Sequence, residues 1–157
     1  MHSIDYDKVF CEFAPIVYRA ALCKTGDADT AQDILQEVLL LLCKKKPVFK
    51  CKAQLRVWLV KCAYKLSAAQ IRKSDTAKTI PIDAAENIGV YDSLEFEFYD
   101  VLARLPEALR DATVLFYIED MSIKEIAKAL SLTPAAVKMR LSRARAELSK
   151  IYKEEIL

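Results

Sequence analysis

Glycine is scarce in this chain: of 157 residues only Gly26 and Gly89 are glycine. That excludes glycine-rich phosphate loops and argues against an architecture built from tight β-hairpins. Histidine occurs once, as His2, and the five cysteines (Cys11, Cys23, Cys43, Cys51 and Cys62) include no C-x-x-C pair. Metal-ligand spacing is therefore absent, and an odd number of thiols fits a reducing cytosol better than a disulfide framework. No Ser/His/Asp set suggests nucleophilic catalysis. The expectation is a non-enzymatic cytoplasmic protein with no cofactor, no metal and no small-molecule substrate. The longest apolar run, Val38 to Cys43, is far too short to cross a bilayer, so no membrane insertion is expected. The opening Met1-His2-Ser3-Ile4-Asp5 does not read as a secretory signal.

Acid is missing from one long stretch. Residues 44–73 hold ten Lys or Arg and no Asp or Glu, whereas residues 94–133 hold eight acids and four bases. A second basic segment, 134–153, has six bases against Glu147. The formal net charge is only +2, so the distribution carries the information. Two separate basic sites fit one long polyanion touched twice.

What is present in abundance is helical periodicity, in segments rich in Ala, Leu, Lys and Glu; the predicted fold class is all-α. Helices are predicted from a Ser3 or Asp5 cap to Lys24, over 28–45, and over 53–73. Residues 74–92 have no sustained period, contain Pro81, Asn87 and Gly89, and read as a linker. Ser93 can cap a fourth helix over 94–105, and Pro106 starts a fifth over 107–119. The predicted organisation is two small helical domains, 1–74 and 93–157, joined by a flexible linker at 75–92.

The segment 121–152 carries the sharpest signal. Ser122 and Glu125 form a capping-box pattern ahead of Ile123, Ile126, Ala127 and Leu130. Ser131-Leu132 is a tight break. Thr133 is an N-cap and Pro134 suits the first helical position. The next helix aligns Val137, Leu141, Ala144, Leu148 and Ile151 on one stripe. Two short-coupled helices with a basic second member match a helix-turn-helix. With about 100° of rotation per residue, Ala135, Lys138, Met139, Ser142, Arg143 and Ala146 point outward, with Arg140 and Arg145 on the flanks. Small residues let such a helix sit deep in a major groove, where Lys and Arg reach phosphates and guanine.

Taken with Leu105-Pro106, Arg110, Leu115, Glu125-Ile126-Ala127, Val137-Lys138, Arg140-Leu141 and Arg143-Ala144-Arg145, this segment resembles region 4 of the extracytoplasmic-function sigma factors of bacterial RNA polymerase. Ala31-Gln32-Asp33-Ile34-Leu35-Gln36-Glu37-Val38 resembles their region 2 signature, and Trp58-Leu59 with Ala63 the helix that reads and melts the minus-ten element. The resemblance implies a three-helix region 2 bundle and a four-helix region 4 domain. It implies core RNA polymerase and promoter DNA as partners, with an anti-sigma factor as a further partner.

On this reading Gln32, Asp33, Gln36 and Glu37 dock on polymerase. Thr133, Ala135, Lys138, Met139, Arg140, Ser142, Arg143 and Arg145 serve the minus-thirty-five element. Lys61, Tyr64, Lys65 and Arg72 serve the minus-ten element, Tyr64 as a stacking platform and Trp58 as core. The chain departs from the family's usual residues at Gln32, Lys65, Ala69 and Ser131. The alternatives are a helix-turn-helix regulator that never joins polymerase, which leaves Gln32–Glu37 without a use, and an enzyme. Charge complementarity further suggests a compact free state, with the acidic 94–120 segment packed on the basic 44–73 run.

Overall fold

A computed structural model describes residues 5–74 and 100–156. The candidate linker at 75–92, the Ser3 cap, and the Ser93 cap with the start of the fourth helix lie outside the described residues. All regular structure among the described residues is helical.

Helix α1, Tyr6–Thr25, starts at Asp5, whose carboxylate accepts the backbone N–H groups of Asp7 and Lys8. It ends at Gly26, which takes the left-handed conformation (φ 69°) that a Cβ would disfavour, and whose N–H closes on the Leu22 carbonyl. Helix α2, Ala28–Lys45, follows at once and buries Ala31, Ile34, Leu35, Val38 and Leu42. Asp27 holds the N-cap position, but its carboxylate accepts the Thr30 hydroxyl rather than a backbone N–H. Phe10, placed by its spacing on the apolar stripe of α1, is half exposed.

Helix α3, Lys52–Ser74, differs from its predicted form. Leu55, Leu59 and Ala63 are buried as expected, and Trp58 is half-buried with its ring edge-on to Phe49. However, Val60, Tyr64 and Ser67 are buried too. With Arg56 they form a second stripe at steps of four, four and three. A helix covered on two sides has no single solvent face. The second side is covered by the C-terminal half.

That half begins with helical residues 100–103, then α4, Glu107–Thr113. The chain continues from α4 into a wider turn, Val114–Ile118, in which the Glu119 N–H reaches back five residues to the Val114 carbonyl. Helix α5, Ile123–Leu130, is closed at its start by the complete capping box: Glu125 N–H to Ser122 Oγ, and Ser122 N–H to Glu125 Oε1, both at 3.1 Å. Ser131 makes the turn in the left-handed region (φ 58°), a strain glycine would avoid. Helix α6, Pro134–Ile156, begins with the Ala136 N–H on the Thr133 hydroxyl.

The two halves share one core. Phe13, Val17, Leu35, Leu59 and Val60 from the first half join Leu115, Met121, Ile126, Val137 and Leu141 from the second in a single buried cluster. A smaller cluster groups Cys23 with Leu102, Leu105, Val114 and Ala144.

Candidate nucleic-acid interface

The structure divides α6 as its sequence suggests. Val137, Leu141 and Ala144 are buried. Ala135, Lys138, Ser142, Arg143, Arg145 and Ala146 are exposed, Met139 is 55% exposed, and Arg140 is half-buried on the flank. Thr133 is exposed, with its hydroxyl engaged as the helix cap. One further contact was not foreseen: the Arg145 Nε–H donates to the Tyr117 hydroxyl at 3.0 Å.

On α2, Gln32, Asp33, Gln36 and Glu37 are all exposed, alternating with the buried Ile34, Leu35 and Val38. Gln32 borders a groove of about 420 Å³ between α1 and α2, lined also by Ala14, Pro15, Tyr18 and Leu35. Burial pushes the Tyr18 hydroxyl pKa up, with Asp29 and Asp27 adding to it.

The third set is not brought together. Lys65 and Arg72 are exposed and Lys61 is half-buried, but Tyr64, expected on the outer surface as a stacking platform, is only 6% exposed. It lies on the second stripe of α3, under the C-terminal half, with the Lys24 ammonium 5.3 Å from its ring centre. Its hydroxyl has no hydrogen-bond partner, and burial drives its pKa well above the ordinary value. In this arrangement no base could stack on it.

The reason lies in ion pairs between the halves. Arg19 makes a two-pronged bond to Glu119, with Nη2 to Oε2 at 2.8 Å. Lys24 reaches Asp111 at 2.7 Å and Glu107 at 2.9 Å. Arg56 meets Glu125 at 2.6 Å. Acidic residues of the second half thus do pair with the first, but the predicted partner was wrong. The ion pairs fall mainly on α1, while the closest packing across the join is α3 against α5; α1 and the second stripe of α3 form the covered face. From the 44–73 run Arg56 makes an ion pair across the join, while Lys44, Lys45, Lys46 and Lys65 stay exposed.

Asp111 is 3% exposed, and burial, opposed by Lys24, pushes its carboxyl up to about 6. Glu125 moves the other way: partial burial opposes it, but the Arg56 hydrogen bond and the Ser122 N–H hold it below its ordinary value. Burial pushes the Cys23 thiol up to about 12, so it is an inert packing group. Among the described residues no cluster of three or more His, Cys, Asp or Glu could hold a metal, and no helix is long and apolar enough to cross a membrane.

A helix-turn-helix with a basic, uncovered second helix, among described residues whose regular structure is all helical, is the arrangement of proteins that read duplex DNA. Residues 95–148 match the family described as Sigma-70, region 4. Over 154 residues the chain is 26% identical to the ECF RNA polymerase sigma factor SigM of Bacillus subtilis, covering 93% of this chain and 94% of that one. It is 28% identical over 145 residues to the ECF RNA polymerase sigma factor EcfG of Rhodopseudomonas palustris, covering 86% and 78%. The fold is similar to that of the sigma factor RpoE from Bartonella quintana, solved with the anti-sigma factor NepR, with a TM-score of 0.75, 22% identity and coverage of 95% and 97%. It is also similar to CnrH in complex with the cytosolic domain of CnrY, with a TM-score of 0.71, 23% identity and coverage of 95% and 88%. Over most of its length the chain is thus similar to ECF RNA polymerase sigma factors, and residues 95–148 carry the Sigma-70, region 4 pattern.

Proposed function

We propose that this chain is an extracytoplasmic-function sigma factor that docks on core RNA polymerase through Gln32, Asp33, Gln36 and Glu37, and reads the minus-thirty-five element through Thr133, Ala135, Lys138, Met139, Arg140, Ser142, Arg143 and Arg145. The observation that carries the reading is the uncovered outer face of α6, basic and small-residued, opposite the buried Val137, Leu141 and Ala144. Lys61, Lys65 and Arg72 of α3 serve the minus-ten element. The protein acts in the cytoplasm without chemistry of its own, lending sequence recognition to the polymerase. An anti-sigma factor is a further partner; RpoE and CnrH, two of the structures with a similar fold, were solved as complexes. Run-off transcription from genomic fragments with core polymerase tests the proposal, and no transcript above core alone refutes it.

Two substitution sets probe the surfaces. Asp33→Ala with Gln36→Ala removes exposed groups and leaves the α2 core untouched. It is expected to abolish capture of core polymerase with helical content unchanged, since losing partnered polar groups at an interface costs a few kcal/mol. A pull-down titration checks this. On α6, Arg143→Ala and Ser142→Ala are expected to relax preference at particular minus-thirty-five positions, with about 1–3 kcal/mol lost for a bidentate base contact. Arg140→Ala and Arg145→Ala should instead weaken all sequences and lower the salt dependence. Binding measured across a set of promoter variants separates the two patterns.

A further inference from the structure

Tyr117 stands out among the exposed apolar side chains. It is 49% exposed, on the wide turn that follows α4, with its ring edge-on to Phe116 at 4.9 Å between centres. In an α-helix residue 117 would lie over Thr113 and Val114, both fully buried. The wider turn at Val114–Ile118 departs from that register, and Tyr117 is exposed. There its hydroxyl accepts the Arg145 Nε–H at 3.0 Å.

This bond uses the inner edge of the guanidinium. Arg145 itself is exposed, and the described hydrogen bond from its guanidinium uses Nε alone, which leaves the two terminal nitrogens for another acceptor. An arginine on a solvated flank ordinarily samples many rotamers, and ordering it at a phosphate costs conformational entropy. A planar fork already anchored at Nε offers a phosphate its two remaining nitrogens in one geometry. No acid pairs with Arg145 among the described ion pairs, so its charge is available to an anion.

We infer that Tyr117, lying outside the helix-turn-helix, is a positioning residue for the phosphate contact of Arg145 on promoter DNA. The inference rests on the minus-thirty-five reading above. The ligand is the phosphodiester backbone of a duplex, so the contribution is the same for every sequence.

The test uses the full chain with core polymerase, on a genomic fragment that wild-type holoenzyme transcribes. Tyr117→Phe deletes the hydroxyl and keeps the ring. It is expected to weaken binding about three- to ten-fold, the worth of one hydrogen bond, with the thermal midpoint unchanged. Arg145→Ala is expected to weaken binding more and to lower the slope of log affinity against log salt by about 0.9, one phosphate contact. The discriminating measurement is the double variant: with Arg145→Ala in place, Tyr117→Phe is expected to have no effect, as required if Tyr117 acts through Arg145. Additive losses, or a Tyr117→Phe variant that binds as well as wild type, overturn the inference while leaving the sigma reading intact. A wild-type chain that transcribes no fragment overturns both.

Discussion

Replacing Lys24 with alanine is expected to part the two halves of the molecule. Lys24 is the ion-pair partner of Asp111, whose carboxylate is almost fully buried, and it also holds Glu107. Breaking a buried pair from one side strands the other charge. The expected penalty is about 3 kcal/mol, the lower end of the range, because the Lys24 side chain keeps some solvent access. That penalty falls on the join and not on either half's own packing. A compact chain of this length has a radius of gyration of about 15 Å. Small-angle scattering should give such a value for the wild type and a clearly larger one for Lys24→Ala. An unchanged profile would mean the shared apolar core alone holds the halves together.

Salt alone is a weak lever on the join, because the pairs are largely shielded from solvent.

Acid is weaker still. The Asp111 carboxyl is raised in the closed form, so between its ordinary value and about 6 that form binds more protons than the open one. Its contribution therefore favours closure as pH falls through this window. Glu125, held low, opposes only at more acidic pH, below its ordinary carboxylate range. Scattering at pH 5 should show the wild type still compact.

Arg110→Lys is expected to be severe despite preserving charge. The Arg110 guanidinium donates to four backbone carbonyls: Leu102 (3.2 Å), Ala103 (3.3 Å), Leu105 (3.0 Å) and, across the join, Cys23 (3.2 Å). The loop before α4 is built around this fork. A lysine presents its three donors from one point and cannot reach carbonyls spread over such an arc. The carbonyls left without a donor should cost about 3 kcal/mol together, a fall in thermal midpoint of about 10 °C for a chain of this size. Thermal unfolding by circular dichroism reads this directly. A midpoint within about 2 °C of wild type would show that water replaces the fork at no cost.

These two sites show where the sequence was legible and where it was not. Helix α2 was legible to the residue, since Gly26 before it and Lys44-Lys45-Lys46-Pro47 after it punctuate strongly. The helix-turn-helix was legible because caps, proline and periodicity all agree. Arg110 could be placed in a family pattern, but its spacing does not reveal that its partners are carbonyls. Tyr64 was misplaced for a definite reason: α3 was read with one buried face, and its second stripe, Arg56, Val60, Tyr64 and Ser67, looks half polar. Burial of that stripe depends on a contact with residues more than forty positions away, which local periodicity does not encode. The wide turn at Val114–Ile118 was likewise invisible, since the residues fit a continuous α-helix equally well.

That second stripe is imperfectly satisfied. Arg56 Nε, Tyr64 Oη and Ser67 Oγ, with Asp111 Oδ1 beside them, are buried without hydrogen-bond partners. Each such atom costs on the order of 1–3 kcal/mol, so the join between the halves is less stable than its apolar packing alone would make it. Any partner that needs the halves apart binds with its intrinsic affinity scaled by the open fraction. The orphan atoms therefore act as a gain control on any such partner, and a larger open fraction raises its apparent affinity in proportion.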